Sequence, residues 1–318
     1  MLAHRRRILV ALLAAPWLLW AAVRTLGLDG GHPLVAVMAF TPYAALTAVL
    51  PVAVALVARQ WAVAALAAVA LAALVVAVAP RALDGPRLAA AAPPAERRLV
   101  VMSANLRFGQ ADARSVMALV RRYDVDVLSL VELSPAAVAR LDAAGARTGL
   151  PGRVLAPGTY DRGMGLMARR PLSAVGTPDA KSGRVEAALA LPGGRPLRVV
   201  AVHPIPPTSA DRTGVWRGQL RDLPDPADGG VAHLLLGDFN GTLDNRAIRA
   251  ILDRGYVDAA DATGTGLRPT FPVGAPIPPI TIDHVLVPPA FGVHRVSVHE
   301  VRDSDHRALI AELVLPPD

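Results

Sequence analysis

Three apolar stretches crowd the first eighty residues and leave the chain few ways to fold. "ILVALLAAPWLLWAAV" follows the Arg5-Arg6-Arg7 cluster, "PLVAVMAFTPYAALTAVLPVAVALVA" runs from Pro33 to Ala58, and "WAVAALAAVALAALVVAVA" runs from Trp61 to Ala79. A helix needs about 20 apolar residues to cross a bilayer. The second and third stretches meet that length, and the first does so when it extends to Leu28. The third has no polar face to offer water, so a soluble helical domain fits poorly. Pro42 and Pro51 are tolerable inside lipid-embedded helices. The expectation is a membrane region over residues 1–80 with three transmembrane helices, at about 8–28, 33–58 and 61–79. A cleaved signal peptide is the competing reading of the first stretch alone.

Three spans put the two ends of the region on opposite sides. Arg5–Arg7 favours a cytoplasmic N-terminus, and Arg59 falls on the same side. The expected location is therefore the cell membrane, multi-pass, with the rest of the chain outside the cytoplasm. Residues 81–97, rich in Ala and Pro, read as a linker.

Composition supports this division. Of 318 residues, 53% are hydrophobic, and the excess lies before residue 80. Residues 1–95 hold seven arginines against Asp29 and Asp84, whereas residues 96–318 hold 26 basic residues against 24 acidic ones. The second part is close to neutral and lacks the basic face that a duplex binder would need. The absence of cysteine excludes disulfides, thiolate catalysis and thiolate metal sites.

From residue 98 the pattern changes to short strands and helices, a domain expected over 98–318. "RLVVMSAN" and "VDVLSLVEL" read as buried strands, separated by a helix with Val116, Leu119 and Val120 at helical spacing. Ser134 and Pro135 open another helix. "GMGLMARRPL", "VEAALAL" and "LRVVAVH" follow as strands, with Pro192-Gly193-Gly194 as a turn between the last two. "AHLLLGD", "TIDHVLVP", "VHRVSVHEV" and "RALIAELVL" are later strands, and "NRAIRAILDRG" is a helix. Apolar strands need cover on both sides. The expected fold is α/β, with two packed sheets flanked by helices.

Polar residues collect where strands end: Asn105, Glu132, His203, then Asp238 and Asn240 after "LLLG", Asp283 early in its strand, and Asp305-His306 before the last. Gly237 reads as the point where the backbone turns, with Asp238 and Asn240 at i and i+2 facing one way. Carboxylates, carboxamides and imidazoles with no serine elbow suit a hard cation, Mg²⁺ or Mn²⁺, and chemistry at phosphoryl oxygens. Asp244, Asp258 and Asp261 read as turn or surface acids. His284, His294 and His299 read as packing or solvent-facing imidazoles without a role.

Together, "SANLRF", "DVLSLVELS", "VVAVHPIPP", "LLLGDFNGT", "TIDHVLV" and "DSDHRALIAELVL" resemble, in order and spacing, the endonuclease/exonuclease/phosphatase superfamily, over about residues 98–316. The resemblance implies a DNase I-like four-layer sandwich and a metal-dependent phosphoesterase. It implies that Glu132 binds metal with Asn105 nearby, and that Asp238 orients or deprotonates water. Asn240 would stabilise the charged phosphate, and His203 would contact it or protonate the leaving oxygen. Asp283 would orient an imidazole, Asp305 would pair with an imidazole or assist the metal, and His306 would act on phosphate or water. Repair nucleases of the family tend to carry an acid two residues after the Asn; this chain has Arg107. The implied substrate is a phosphate ester: nucleic acid, a phospholipid head group or a small phosphoester. No protein partner is implied. A non-catalytic membrane-anchored binding module on the same fold is the alternative.

Overall fold

The computed structural model describes residues 2–83, 93–191 and 196–317. The Pro192–Gly194 turn and most of the expected linker lie outside the described residues.

The N-terminal region is helical. Helix α1 (Leu2–Leu26) is followed by α2 (Leu34–Met38), α3 (Thr41–Thr47), α4 (Val49–Val57) and α5 (Trp61–Val78). The expected middle span is therefore corrected. Among the described residues, two helices, His4–Leu26 and Trp61–Ala82, have the length and composition to cross a membrane, whereas the middle stretch gives only a shorter apolar run, Thr41–Val57, after the separate α2. Pro42 stands in the first turn of α3. Pro51 has no N–H to give the Thr47 carbonyl, and α3 and α4 meet at Ala48. The two long helices run the same way. Val10 and Ala14 of α1 meet Val63 and Ala64 of α5 at one end. Ala21 meets Leu74 and Val78 at the other.

The remainder is two sheets packed face to face. The first joins β1 (Arg98–Asn105), β2 (Val127–Val131), β3 (Gly152–Ala156) and β4 (Met164–Ala168). The second takes β5 (Leu172–Ala174), β6 (Arg184–Ala190), β7 (Pro196–Val202), β8 (Ala227–Asp228), β9 (Val231–Asp238), β10 (Val257–Asp258) and β11 (Asp283–Val287). The chain then returns to the first sheet with β12 (Gly292–Glu300) and β13 (Arg307–Val314). The strand orders are β12-β13-β1-β2-β4-β3 and β10-β11-β9-β7-β6-β5, with β8 beside β9. Each sheet has one parallel pair, β1–β2 and β7–β9, and is otherwise antiparallel. The strand β3 within "PGRVLA" was not expected from the sequence.

Alternate residues explain the layers. Val101, Val127, Val199 and Leu236 face the space between the sheets. Met102, Leu128 and Leu130 face the other way, onto α6 (Ala113–Arg122), α7 (Pro135–Ala143) and α8 (Ala146–Gly149). Val200, Leu235 and Leu286 face α9 (Ala210–Arg221) and α10 (Arg246–Leu252). A short α11 (Ala259–Ala262) joins the inter-sheet core. Strands buried on both sides read as continuous apolar runs, as "LLL" does.

Candidate active site

The two parallel pairs set the site. Both strands of such a pair end at the same edge. Asn105 closes β1 and Glu132 follows β2; His203 follows β7 and Asp238 closes β9. β11 and β13 run antiparallel to their neighbours, so they begin at that edge with Asp283 and, just before β13, His306. Asp283 lies directly across from Asp238 in the ladder.

Gly237 does not turn the chain. It is still paired, opposite His284 in β11 and Val202 in β7. A Cβ there would overlap the Val202 carbonyl, so glycine is needed for close approach of β7 to β9. The turn comes at Asn240, where φ is +49°. The chain is not extended there, so the i, i+2 geometry expected for Asp238 and Asn240 is replaced by a tight turn. In it the Asn240 N–H donates to Asp238 Oδ1 at 2.8 Å, and Asn240 Nδ2 donates to the Pro204 carbonyl at 2.9 Å. Glu132 (φ +56°), Arg107 (+46°) and Phe108 (+55°) are also left-handed. Non-glycine residues rarely adopt that region, and such strain gathers at functional sites.

Asp238 Oδ2 is the centre of the cluster. It accepts from Asn105 Nδ2 at 3.2 Å and stands 3.7 Å from both His203 Nε2 and His306 Nε2. His306 Nδ1 lies 2.9 Å from Asp283 Oδ2. Glu132 Oε1 accepts from Asn105 Nδ2 at 3.0 Å, and Oε2 accepts from the Phe108 N–H at 2.6 Å. Asp238, Asp283, His203, His306 and Asn105 are all buried. Asp305 stands at the rim instead, 4.0 Å from Arg107 Nε. Asn105 turns its amide nitrogen to Glu132 and its Oδ1 to the Arg107 N–H, at 2.8 Å.

Electrostatics follow from this packing. Burial pushes the Asp238 carboxyl up to about 6, against the pull of His306. Burial also pushes Glu132 up, with Asn105 opposing. Burial works to lower His306, but Asp283 and Asp238 outweigh it and lift the imidazole to about 9. Burial holds His203 below the usual imidazole range. The surroundings thus favour the charged form of His306 and the neutral form of His203. Asp238, Asp283 and His306 each bring one ligand atom within 4.8 Å of the others, a group that could hold a metal ion with His306 in its neutral form. Asp283 Oδ1 is enclosed with no hydrogen-bond partner among the described residues.

The comparisons decide the family. The endonuclease/exonuclease/phosphatase family model matches residues 102–306. The chain belongs to the endonuclease/exonuclease/phosphatase family. It is accordingly a hydrolase of the kind that acts on phosphoesters. No curated protein matches it in sequence. Among solved structures it is similar to an endonuclease/exonuclease/phosphatase from Beutenbergia cavernae DSM 12333, at 23% identity and TM-score 0.57, over 69% of this chain and 72% of that one. It is also similar to D. rerio TDP2 complexed with a single-strand DNA product, at 18% identity and TM-score 0.51, over 68% and 98%. These likenesses speak for the fold. The family's sandwich is the arrangement seen here, two mixed sheets between helical layers.

Several residues given no role in the sequence are part of the site's support. His284 is buried, with Nδ1 2.7 Å from Asp258 Oδ2 and Nε2 2.9 Å from the Gly241 carbonyl. Asp258 is buried too, so neither is a surface group. Asp244 is fully buried and ion-paired. Asp283 and the run "LLLGDFN" mark β11 and β9 as interior, which was the available signal for His284; nothing local marked Asp244.

His284 gives a pH prediction. Burial opposes its charge, but the Asp258 carboxylate and the Gly241 carbonyl outweigh burial and raise its pKa above 6.5. A raised folded pKa means the stabilisation is complete below the unfolded value and is lost as pH rises through the folded one. Thermal unfolding of the full chain should therefore show a melting temperature that falls from about pH 6.5 upward, and less steeply in His284→Asn. Equal slopes in the two proteins would contradict the assignment.

Proposed function

We propose that the protein is a membrane-anchored, divalent-metal-dependent hydrolase of phosphate esters. The observation that carries this is the convergence of Glu132, Asp238, Asp283, His203 and His306 on one buried point, from strand ends of both sheets. Asp238, fixed by Asn105 and the Asn240 N–H, orients and deprotonates the attacking water. His306, held through Nδ1 by Asp283, presents Nε2 to the phosphate or the water. His203 stands on the same carboxylate oxygen and contacts the phosphate or protonates the leaving oxygen. An arriving phosphate favours its charged form, which burial alone disfavours. Asn240 stabilises negative charge on the phosphate. Asp305, from the rim, adds to the charges that keep His306 protonated.

The donor set fits a hard cation, Mg²⁺ or Mn²⁺. Carboxylates dominate it, and Asp283 Oδ1 is a buried acceptor with no hydrogen-bond donor among the described residues. We assign Glu132 as the principal ligand, with Asn105 beside it. The ion would supply positive charge against the phosphoryl oxygens.

The domain runs from 98 to 318, the apolar region from 1 to 80, and 81–97 connects them. Because α1 and α5 both end beside the domain, Arg5–Arg7 and Arg59 lie at the far end of the helices. That supports a catalytic domain on the extracytoplasmic side. Impermeant labelling of a cysteine placed at exposed Tyr160 in intact cells reads the side, and labelling only after lysis would reverse it. A nucleic acid, a phospholipid head group and a small phosphoester share the chemistry the site offers. The near-neutral domain does not favour the polyanion among them.

The test is the purified full chain on a panel of phosphodiesters and monoesters, with Mg²⁺ or with EDTA. Turnover of at least one class, abolished by the chelator and restored by Mg²⁺, is expected. No turnover of any would favour the non-catalytic module.

A further inference from the structure

The loop that carries Asn240 is held from outside the family domain. It runs from the end of β9 to the start of α10, and four residues past Asn240 it buries Asp244 completely. Asp244 Oδ1 accepts from Arg24 Nε and from Arg81 Nη2, each at 2.7 Å; Oδ2 accepts from Arg81 Nη1, also at 2.7 Å. Arg24 closes α1, and Arg81 follows α5. Neither lies within residues 102–306, the part matched by the family.

The next two residues are held in the same way. Asn245 Nδ2 donates to the Val35 carbonyl at 2.7 Å, while its Oδ1 accepts from the Thr242 N–H at 2.9 Å. The Arg246 N–H donates to Asp29 Oδ2 at 2.9 Å, and Asp29 is itself buried. Arg249 Nη2 returns to the Arg24 carbonyl at 3.1 Å. The Val35 side chain packs into the core beneath the second sheet, with Trp216, Phe239 and Ile248. A tether needs none of this. A buried carboxylate is tolerated only when paired, and its pairing here depends on two arginines from the apolar helices.

We propose that the N-terminal helices are a working part of the active site: Arg24 and Arg81, through Asp244, position the 240–245 loop and thereby Asn240. Asp244, Arg24 and Arg81 are positioning residues that touch no substrate. The inference rests on the role given to Asn240 above. Without the arginines the Asp244 carboxylate must move toward water, which pulls on the turn where Asn240 meets the Asp238 carboxylate and the Pro204 carbonyl. A displacement of about 1 Å in a catalytic group costs on the order of 10²-fold in rate. Glu132, the residue assigned to the metal, is anchored instead by Asn105 and the Phe108 N–H, so affinity for the metal should not change.

The experiment uses the full chain, with bis-p-nitrophenyl phosphate and Mg²⁺ as probe, well below the melting temperature of each variant. Arg81→Met should lower kcat by about 10- to 100-fold, with KM and the Mg²⁺ titration unchanged. Arg81→Lys should recover part of the loss. The deciding comparison is Asn240→Ala with and without Arg81→Met: the double variant should be no slower than Asn240→Ala alone. If the two losses multiply, or if Arg81→Met keeps the wild-type kcat, the inference is overturned. If Asn240→Ala is fully active, the role of Asn240 fails first, and the inference fails with it. Should Arg81→Met not fold, Arg24→Met removes a single contact and leaves the Arg81 fork, with the same comparison applied.

Discussion

Asp238→Asn is expected to abolish turnover while the protein still folds. The carboxylate closes β9 inside the sheet edge, with Oδ2 facing Asn105, His203 and His306 and Oδ1 held by the Asn240 N–H. The amide is near-isosteric and keeps an oxygen for the Asn240 N–H. It also removes a charge that burial, the largest influence on Asp238, and Asp283 both disfavour, while giving up the attraction of His306. Loss of stability should therefore be small. Loss of activity should not be, because the amide has no basicity: removal of a general base costs about 10²- to 10⁴-fold. Steady-state kinetics with a thermal melt on the same sample separate the two effects. A variant turning over within a few-fold of wild type would remove Asp238 from the mechanism.

Metal withdrawal is expected to have an effect of similar size, and Glu132 is where it should be felt. Glu132 sits at φ +56°, with one carboxylate oxygen held by Asn105 and the other by the Phe108 N–H. Its burial disfavours charge, and a cation beside it would offset that cost. Excess EDTA should stop turnover, and Mg²⁺ or Mn²⁺ should restore it. In Glu132→Gln the Mg²⁺ needed for half-maximal rate should rise by about 10-fold or more, since even indirect support of a metal ligand is worth about 10- to 100-fold. An unchanged titration would release Glu132 from the metal, and full activity in chelator would remove the metal from the account.

The convergence of the candidate site's residues was legible because each closes or opens a strand that is apolar throughout. Such strands are interior, and a polar residue at the tip of one is displayed at a sheet edge. Asn105, Glu132, His203, Asp238, Asp283 and His306 all follow that rule and meet in space. Asp305 follows it only in sequence: the turn before β13 leaves it at the rim beside Arg107. Gly237 was misread because glycine has two uses, and close backbone approach across a sheet leaves no mark in a single strand. Asp244 was illegible for a different reason. Its partners, Arg24 and Arg81, are 220 and 163 residues away in sequence, and a lone acid after a turn looks like a surface residue. The middle apolar stretch was misjudged because hydropathy counts residues, whereas α2 stands apart and the helical run Thr41–Val57 is too short.

The central claim is that a water, set by Asp238, attacks phosphorus. The most direct measurement is hydrolysis of bis-p-nitrophenyl phosphate by the full chain with Mg²⁺ in ¹⁸O-enriched water, with Asp238→Asn and EDTA as controls. The account predicts ¹⁸O in the p-nitrophenyl phosphate product, none in p-nitrophenol, and no product above background in either control. Label in the p-nitrophenol oxygen, or equal product from Asp238→Asn, would contradict it.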